Sequence, residues 1–201
     1  MDTVIFKVVL TAFLVSCFGS FTWGVRRFFV KPEKLSFGVR LTLAAGTVFS
    51  IAHLAVILLS SQFHPAAVAV AVLLYGLSLV MFWWAIQANR VKPLAACFAK
   101  SESLHLVQHG PYRLVRHPFY CSYLLAWIAG AVGTWNIWLA FTAAIMFVLY
   151  LTAAVNEENK FASSSLADAY AEYRAATGRF FPKLFKFRTH RHAHLPPSQN
   201  V

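Results

Sequence analysis

The sequence predicts an all-α fold: a polytopic membrane helix bundle of about five transmembrane helices, with an amphipathic cytoplasmic helix near the C-terminus. Three observations carry this expectation. The 201 residues are 59% hydrophobic and only 12% charged, where an ordinary soluble domain carries roughly 25% charged residues. The apolar residues gather into runs close to the roughly 20 residues that a helix needs to cross a bilayer. The basic residues lie between those runs, as juxtamembrane anchors do. The formal net charge of +11 therefore does not point to nucleic acid, which would call for a separate basic domain outside the spans.

The first apolar run covers residues 4–25. Leu14-Val15-Ser16-Cys17 has the look of a lipoprotein cleavage box, but the start is poor in basic residues (Asp2, Lys7) and the run continues past Cys17 to Val25. A retained transmembrane helix is expected rather than a removable signal. A basic loop follows, Arg26-Arg27-Phe28-Phe29-Val30-Lys31-Pro32-Glu33-Lys34, with a helix-stopping proline. The second run spans 39–61, and the turn at Ser60 to Pro65 has no Lys or Arg. The third spans 66–88 and ends in Phe82-Trp83-Trp84, read as an aromatic cluster at interface depth. The fourth, 119–132, is short for a span unless it begins within the preceding Arg-His-Pro; the fifth, 137–155, returns across the bilayer. Residues 159–174 read as a surface helix, with Phe161, Leu166, Tyr170 and Tyr173 at three- or four-residue spacing.

These segments make one membrane domain over 1–182, with a basic cytoplasmic tail over 183–201. The Lys/Arg bias puts the N-terminus outside and the basic loops, the double glutamate and the tail in the cytoplasm, as in a multi-pass protein of the plasma or inner membrane. Cys17, Cys97 and Cys121 are odd in number and far apart, so neither a disulfide framework nor a zinc site is indicated. His190, His192 and His194 read as an incidental tract in the tail, and Lys183, Lys186, Arg188 and Arg191 as contacts to anionic lipid headgroups. His53, inside the second run, is either a functional group or a neutral histidine bonded to a neighbouring helix.

The segment 89–117 differs in kind. It is polar and basic, carries Arg90, Lys92, Lys100, Arg113 and Arg116, and is broken by Pro93, Gly110 and Pro111. Arg113, Arg116 and His117 at a membrane boundary read first as snorkelling anchors. Glu157 and Glu158 resist that account. At the end of the fifth helix they lie near its negative pole, and acidic residues contribute little to orientation. A cation must offset them, from Arg113, from Arg116 or from a ligand. The predicted topology puts both clusters on the same face, so one pocket can hold both.

Four blocks in this order carry a resemblance: Gly110-Pro111-Tyr112-Arg113-Leu114-Val115-Arg116-His117-Pro118-Phe119-Tyr120, then Glu157-Glu158, then Tyr170-Ala171-Glu172-Tyr173, then Arg179-Phe180-Phe181-Pro182. Over residues 104–182 the chain resembles the isoprenylcysteine carboxyl methyltransferase family, which has bacterial members and is related to the phospholipid N-methyltransferases. The resemblance implies an integral membrane methyltransferase that uses S-adenosylmethionine, with the cofactor on the cytoplasmic side. It implies that Tyr112, Arg116, His117, Pro118, Tyr120, Glu157 and Glu158 line the cofactor site, with Gln87, His109 and Trp84 as further wall residues. Arg116, Glu157 and Glu158 are the candidates for the catalytic machinery. The donor has a carboxylate for Arg116 or His117 and an ammonium for one of the glutamates. The acceptor is lipophilic or small and presents a carboxylate, an amine or a thiol. The eukaryotic prenylcysteine enzymes have arginines shortly before the paired glutamates; here residues 151–156 are Leu-Thr-Ala-Ala-Val-Asn. Two other functions compete. A sterol-type reductase would bind NADPH, detectable by spectroscopic titration. A lipid-binding scaffold would tolerate Arg116→Lys and Glu158→Gln.

Overall fold

The computed structural model describes residues 2–28, 36–89 and 106–183. The remainder of the basic loop at 29–35, the polar stretch 90–105 with Arg90, Lys92 and Lys100, and the tail from 184 onward with its histidine tract lie outside the described residues. Within them the chain is helical: α1 (Asp2–Phe28), α2 (Phe37–Leu59), α3 (Pro65–Ala88), a 3-10 turn (Gly110–Arg113), α4 (Pro118–Thr134), α5 (Ile137–Ala162) and α6 (Ala167–Ala176). α1, α2, α3 and α5 are long and apolar enough to cross a bilayer. With 17 residues, α4 is about 25 Å long at 1.5 Å per residue, the lower limit for a span. It is buried around most of its circumference, so its neighbours, not lipid, surround it.

Local chemistry sets the ends. Ser36 Oγ accepts the amide of Val39 at the start of α2, and Pro65 occupies the first turn of α3, where its missing N–H costs nothing. Asn136 Oδ1 accepts from the amides of Trp138 and Leu139 and starts α5. Between α4 and α5, Trp135 is left-handed (φ 51°) and turns the chain back into a tight antiparallel hairpin.

Packing alternates the helices up and down. At one end the Lys7 ammonium donates to the carbonyl of Leu58 at 2.6 Å, and Gly133 of α4 lies against Ala71 and Leu10. At the other end Gly24 of α1 lies against Phe82 and Ile86 of α3. The core between α1, α3 and α4 is built from Leu10, Leu14, Cys17, Phe21, Ala71, Tyr75, Phe82, Phe119, Ala126 and Ala129. Phe82 belongs to this core, in ring contact with Phe21 and Phe119, and is not interfacial as its neighbourhood in sequence suggests. Successive helical residues point about 100° apart, so three adjacent aromatics cannot share one environment; Trp84 is the exposed one.

Small residues on α4 let α2 and α3 approach. A Cβ placed on Gly130 would lie 2.1 Å from His53 Nδ1. The His53 ring is fully buried, its Nε2 is 2.9 Å from Thr142 Oγ1 of α5, and it meets Trp127 edge-on. His53 is thus bonded to a neighbouring helix. Gly130→Ala must displace this ring, and is expected to lower stability by about 1–3 kcal/mol through overpacking, measured by thermal unfolding in detergent. An unchanged melting temperature would show that the α2–α4 contact is loose.

Two boundaries differ from expectation. α5 runs to Ala162, so Glu157 and Glu158 lie a turn inside the helix instead of at its terminus. The amphipathic segment expected at 159–174 is split: its first part extends α5, and α6 begins only at Ala167. The serines between them cause the break. Ser164 Oγ donates to the Phe161 carbonyl and accepts the Leu166 amide, an alternative to continued helix. Phe161 and Tyr170 stack across it with centroids 5.0 Å apart.

Candidate active site

Tyr112 anchors the approach to the site. Gly110, at φ +61°, packs against Ala88 and the Trp84 indole. The 3-10 turn then buries the Tyr112 ring, whose hydroxyl accepts from Asn89 Nδ2 at 2.9 Å and whose carbonyl accepts from the Tyr173 hydroxyl at 2.7 Å. Burial pushes the Tyr112 phenol above its ordinary range. Pro118 is fully buried in the first turn of α4.

A C-terminal strap closes over this turn. After α6 the chain forms an isolated parallel bridge between Gly178 and Val115. The amides of Arg116 and His117 donate to the carbonyls of Gly178 and Arg179 at 2.8 and 3.2 Å. A Cβ on Gly178 would fall 1.7 Å from the Phe181 carbonyl oxygen, so the turn admits no side chain there. The Cys121 thiol donates to the Phe180 carbonyl, and the Lys183 ammonium bonds the carbonyls of Arg174 and Ala175 at the end of α6.

Within this frame sits an ionic cluster drawn from α4, α5, the strap and the residues before α4. Glu158, 3% exposed, is its hub. Oε1 receives Arg116 Nε at 3.1 Å, Arg116 Nη2 at 3.0 Å, His117 Nε2 at 3.2 Å and Arg179 Nε at 2.9 Å; Oε2 receives Arg179 Nη2 at 2.8 Å. Arg116 Nη1 also donates to the carbonyls of Thr177 and Arg174. Glu157 lies at the edge, 21% exposed. Its Oε1 accepts from the Tyr120 hydroxyl, and its Oε2 is 3.4 Å from His117 Nδ1. The Tyr120 ring stacks on both His117 and Tyr150.

Both ring nitrogens of His117 face a carboxylate. Burial works against the charged ring, but the hydrogen bonds and charges of Glu157 and Glu158 outweigh it and raise the His117 pKa above the ordinary imidazole value. The sign follows from linkage: a raised folded pKa stabilises the fold fully below the unfolded value, and the contribution fades as pH rises through the folded one. Melting temperature is therefore expected to decline as pH rises above the ordinary imidazole value, and this part of the decline should be absent in His117→Gln.

Of the residues singled out from sequence, Arg116, His117, Tyr120, Glu157 and Glu158 meet directly. Tyr112 and Pro118 shape the turn that presents them. Gln87 and His109 are exposed, at the end of α3 and before the 3-10 turn, and Trp84 packs on Gly110. Arg113 is exposed, so Arg116 supplies the expected offset for the glutamates. The sequence reading did not place Arg179 in the site. Its signal was the Arg-Phe-Phe-Pro block, which marks the residue but not its partner.

Residues 66–169, about half the chain, match the phospholipid methyltransferase family profile. The chain is also similar to the cobalt-zinc-cadmium resistance protein CzcN of Cupriavidus metallidurans, 35% identical over 83 residues, which cover 41% of this chain and 38% of that protein. It is 32% identical over 88 residues to the nickel-cobalt-cadmium resistance protein NccN of Alcaligenes xylosoxydans xylosoxydans, covering 44% of this chain and 41% of that protein. The matched stretches thus span about two-fifths of those relatives. The family match covers α3, α4, α5 and both glutamates, and on it the chain belongs to the phospholipid methyltransferase family.

Proposed function

We propose that this membrane methyltransferase uses S-adenosylmethionine, held beside Glu157, and passes the methyl group to a lipophilic or small acceptor, in the manner of the isoprenylcysteine carboxyl methyltransferase-like enzymes. The observation that carries the reading is the division of labour between two adjacent carboxylates. Glu158 is buried and saturated by two guanidiniums and an imidazole. Glu157 is part-exposed, and each of its oxygens faces a single donor, which leaves acceptor capacity for a ligand. A cationic ligand group fits such an edge, and an amino-acid ammonium is one.

In this reading Glu157 receives the ligand ammonium. Tyr120 and His117 hold its carboxylate, Glu158 holds His117 and is itself held by Arg116, and Tyr112 and Pro118 set the turn. Gln87 and His109 stand at the rim. The donor, when bound, supplies a sulfonium methyl group open to in-line displacement. The protein has then to position the acceptor and exclude water. A carboxylate acceptor attacks as it is; an amine or thiol gives up a proton, which calls for a base other than the ammonium-bound Glu157. The basic residues Arg26, Arg27, Arg113 and Lys183 lie toward the same end of the bundle, which by the Lys/Arg bias is the cytoplasmic side.

Calorimetry in detergent with S-adenosylhomocysteine tests the reading directly. The wild type is expected to bind; absence of binding by a folded sample overturns it. Incubating membranes with methyl-labelled donor then identifies the acceptor by what becomes labelled.

A further inference from the structure

Arg179 makes the most directional contact in the cluster, and makes it with Glu158. Its Nε and Nη2 grip both oxygens of Glu158 at 2.9 and 2.8 Å, a fork that fixes the plane of a carboxylate where a single contact leaves it free to turn. Oε1 of that carboxylate meets His117 Nε2, and His117 Nδ1 meets Glu157 Oε2. The imidazole is strung between two carboxylates. Both contacts are attractive only while both nitrogens carry protons.

We propose that Arg179 is a positioning residue of the methyl-donor site: it fixes Glu158, Glu158 fixes the His117 ring, and the ring fixes the Glu157 carboxylate that meets the ligand. The proposal rests on the reading of Glu157 given above. The strap supports it, since the backbone of Arg179 is itself bonded to the His117 amide. The fork and the ring it controls are therefore held in one register.

A consequence separates this role from a merely structural one. The groups in contact with the His117 ring are Glu157 and Glu158 from α5, Tyr120 from α4 and Phe180 from the strap; the charged side chains of Arg116 and Arg179 stand behind Glu158 and reach the ring through it. When the ring loses its proton, one nitrogen turns a lone pair to a carboxylate and the link from Glu158 through the ring to Glu157 is broken at one end, which leaves Glu157 fixed by the Tyr120 hydroxyl alone; affinity falls as pH rises. Removing the charge of Arg179 leaves more of the Glu158 charge to the imidazolium, and the alkaline edge of binding moves to higher pH. A residue that only stabilised the fold would change the folded fraction and leave the edge where it is.

The test uses the full chain in detergent, with S-adenosylhomocysteine titrated calorimetrically from acid to alkaline pH. Arg179→Gln should bind about tenfold more weakly below the edge, the scale of one charge-assisted contact, and its edge should lie at higher pH. Arg179→Lys keeps the charge without the fork, so it should lose affinity with the edge unmoved; it also serves if Arg179→Gln does not fold. Lys183→Gln, on the same strap, should change neither. Folded Arg179 variants with wild-type affinity and edge overturn the proposal. Titration of the His117 ring, followed by nitrogen NMR on histidine-labelled protein and assigned through His117→Gln, gives a readout that needs no ligand. A ring titration that moves up in Arg179→Gln while the wild type binds no nucleoside upholds the brace and removes the methyl-donor reading. An unmoved ring titration removes the brace, whatever the wild type binds.

Discussion

Glu158→Gln is expected to be the most destabilising single change in the described site. It leaves the Arg116 guanidinium and the His117 ring buried beside a neutral amide, and turns the Arg179 fork toward a group that offers one acceptor oxygen instead of two. Breaking a buried ion pair by removing one partner costs about 3–5 kcal/mol, because the remaining charge stays desolvated. A loss of that size is a large fraction of the stability of an ordinary domain. Thermal unfolding in detergent reads it as a melting temperature many degrees lower, with the strap at 177–183 opening first to proteolysis because its ion pair to α5 is gone. A Glu158→Gln protein as stable as wild type would mean that the cluster is held by its backbone contacts alone.

The neighbouring change should do the opposite. Glu157→Gln removes a carboxylate that is part-exposed and bonded by one hydroxyl and one ring nitrogen. The fold should therefore keep nearly its wild-type melting temperature. In the proposed reading, donor binding should in contrast weaken by about a hundredfold, roughly 2.7 kcal/mol, because there the ligand ammonium would lose its charged partner while the Tyr120 hydroxyl still finds an acceptor. Calorimetry with S-adenosylhomocysteine measures the affinity and unfolding measures the stability, and the two glutamates should separate cleanly on the two axes. Equal affinity in wild type and Glu157→Gln would place the ligand elsewhere.

Much of this was legible along the chain. The apolar runs located each helix among the described residues that is long and apolar enough to span, because a bilayer tests composition over some twenty consecutive residues and little else. Alternation of spans put residues 110–120 and Glu157-Glu158 at one end, and the misfit of two acids near a helix terminus argued that they had a partner. Even the short fourth run explained itself, since α4 begins at Pro118 with His117 as its cap.

Other features needed the packed structure. Hydropathy did not show that α5 continues past the glutamates to Ala162, because polarity rises there while helix propensity does not fall; hydrogen bonds of Ser164 end the regular structure. Sequence adjacency suggested that Phe82 shares the interface with Trp84, and rotation about the α3 axis separates them. His109 directly precedes the motif and Gln87 lies near the end of α3, and only the packed structure shows that both are exposed. Arg179 was visible as a residue of a block but not as the fork on Glu158, because its partner is 21 positions away and reached only through the strap.

The sequence by itself determined the all-helical membrane architecture, the end of the bundle where charge collects, and the residue types that collect there. Only the tertiary structure decided which glutamate is the buried anchor and which faces outward. Two adjacent residues on a helix differ by about 100° in direction, and the rotation of α5 is set by how its apolar face packs on α4. That rotation turns Glu158 toward Arg116 and Arg179 and leaves Glu157 at the edge with Tyr120.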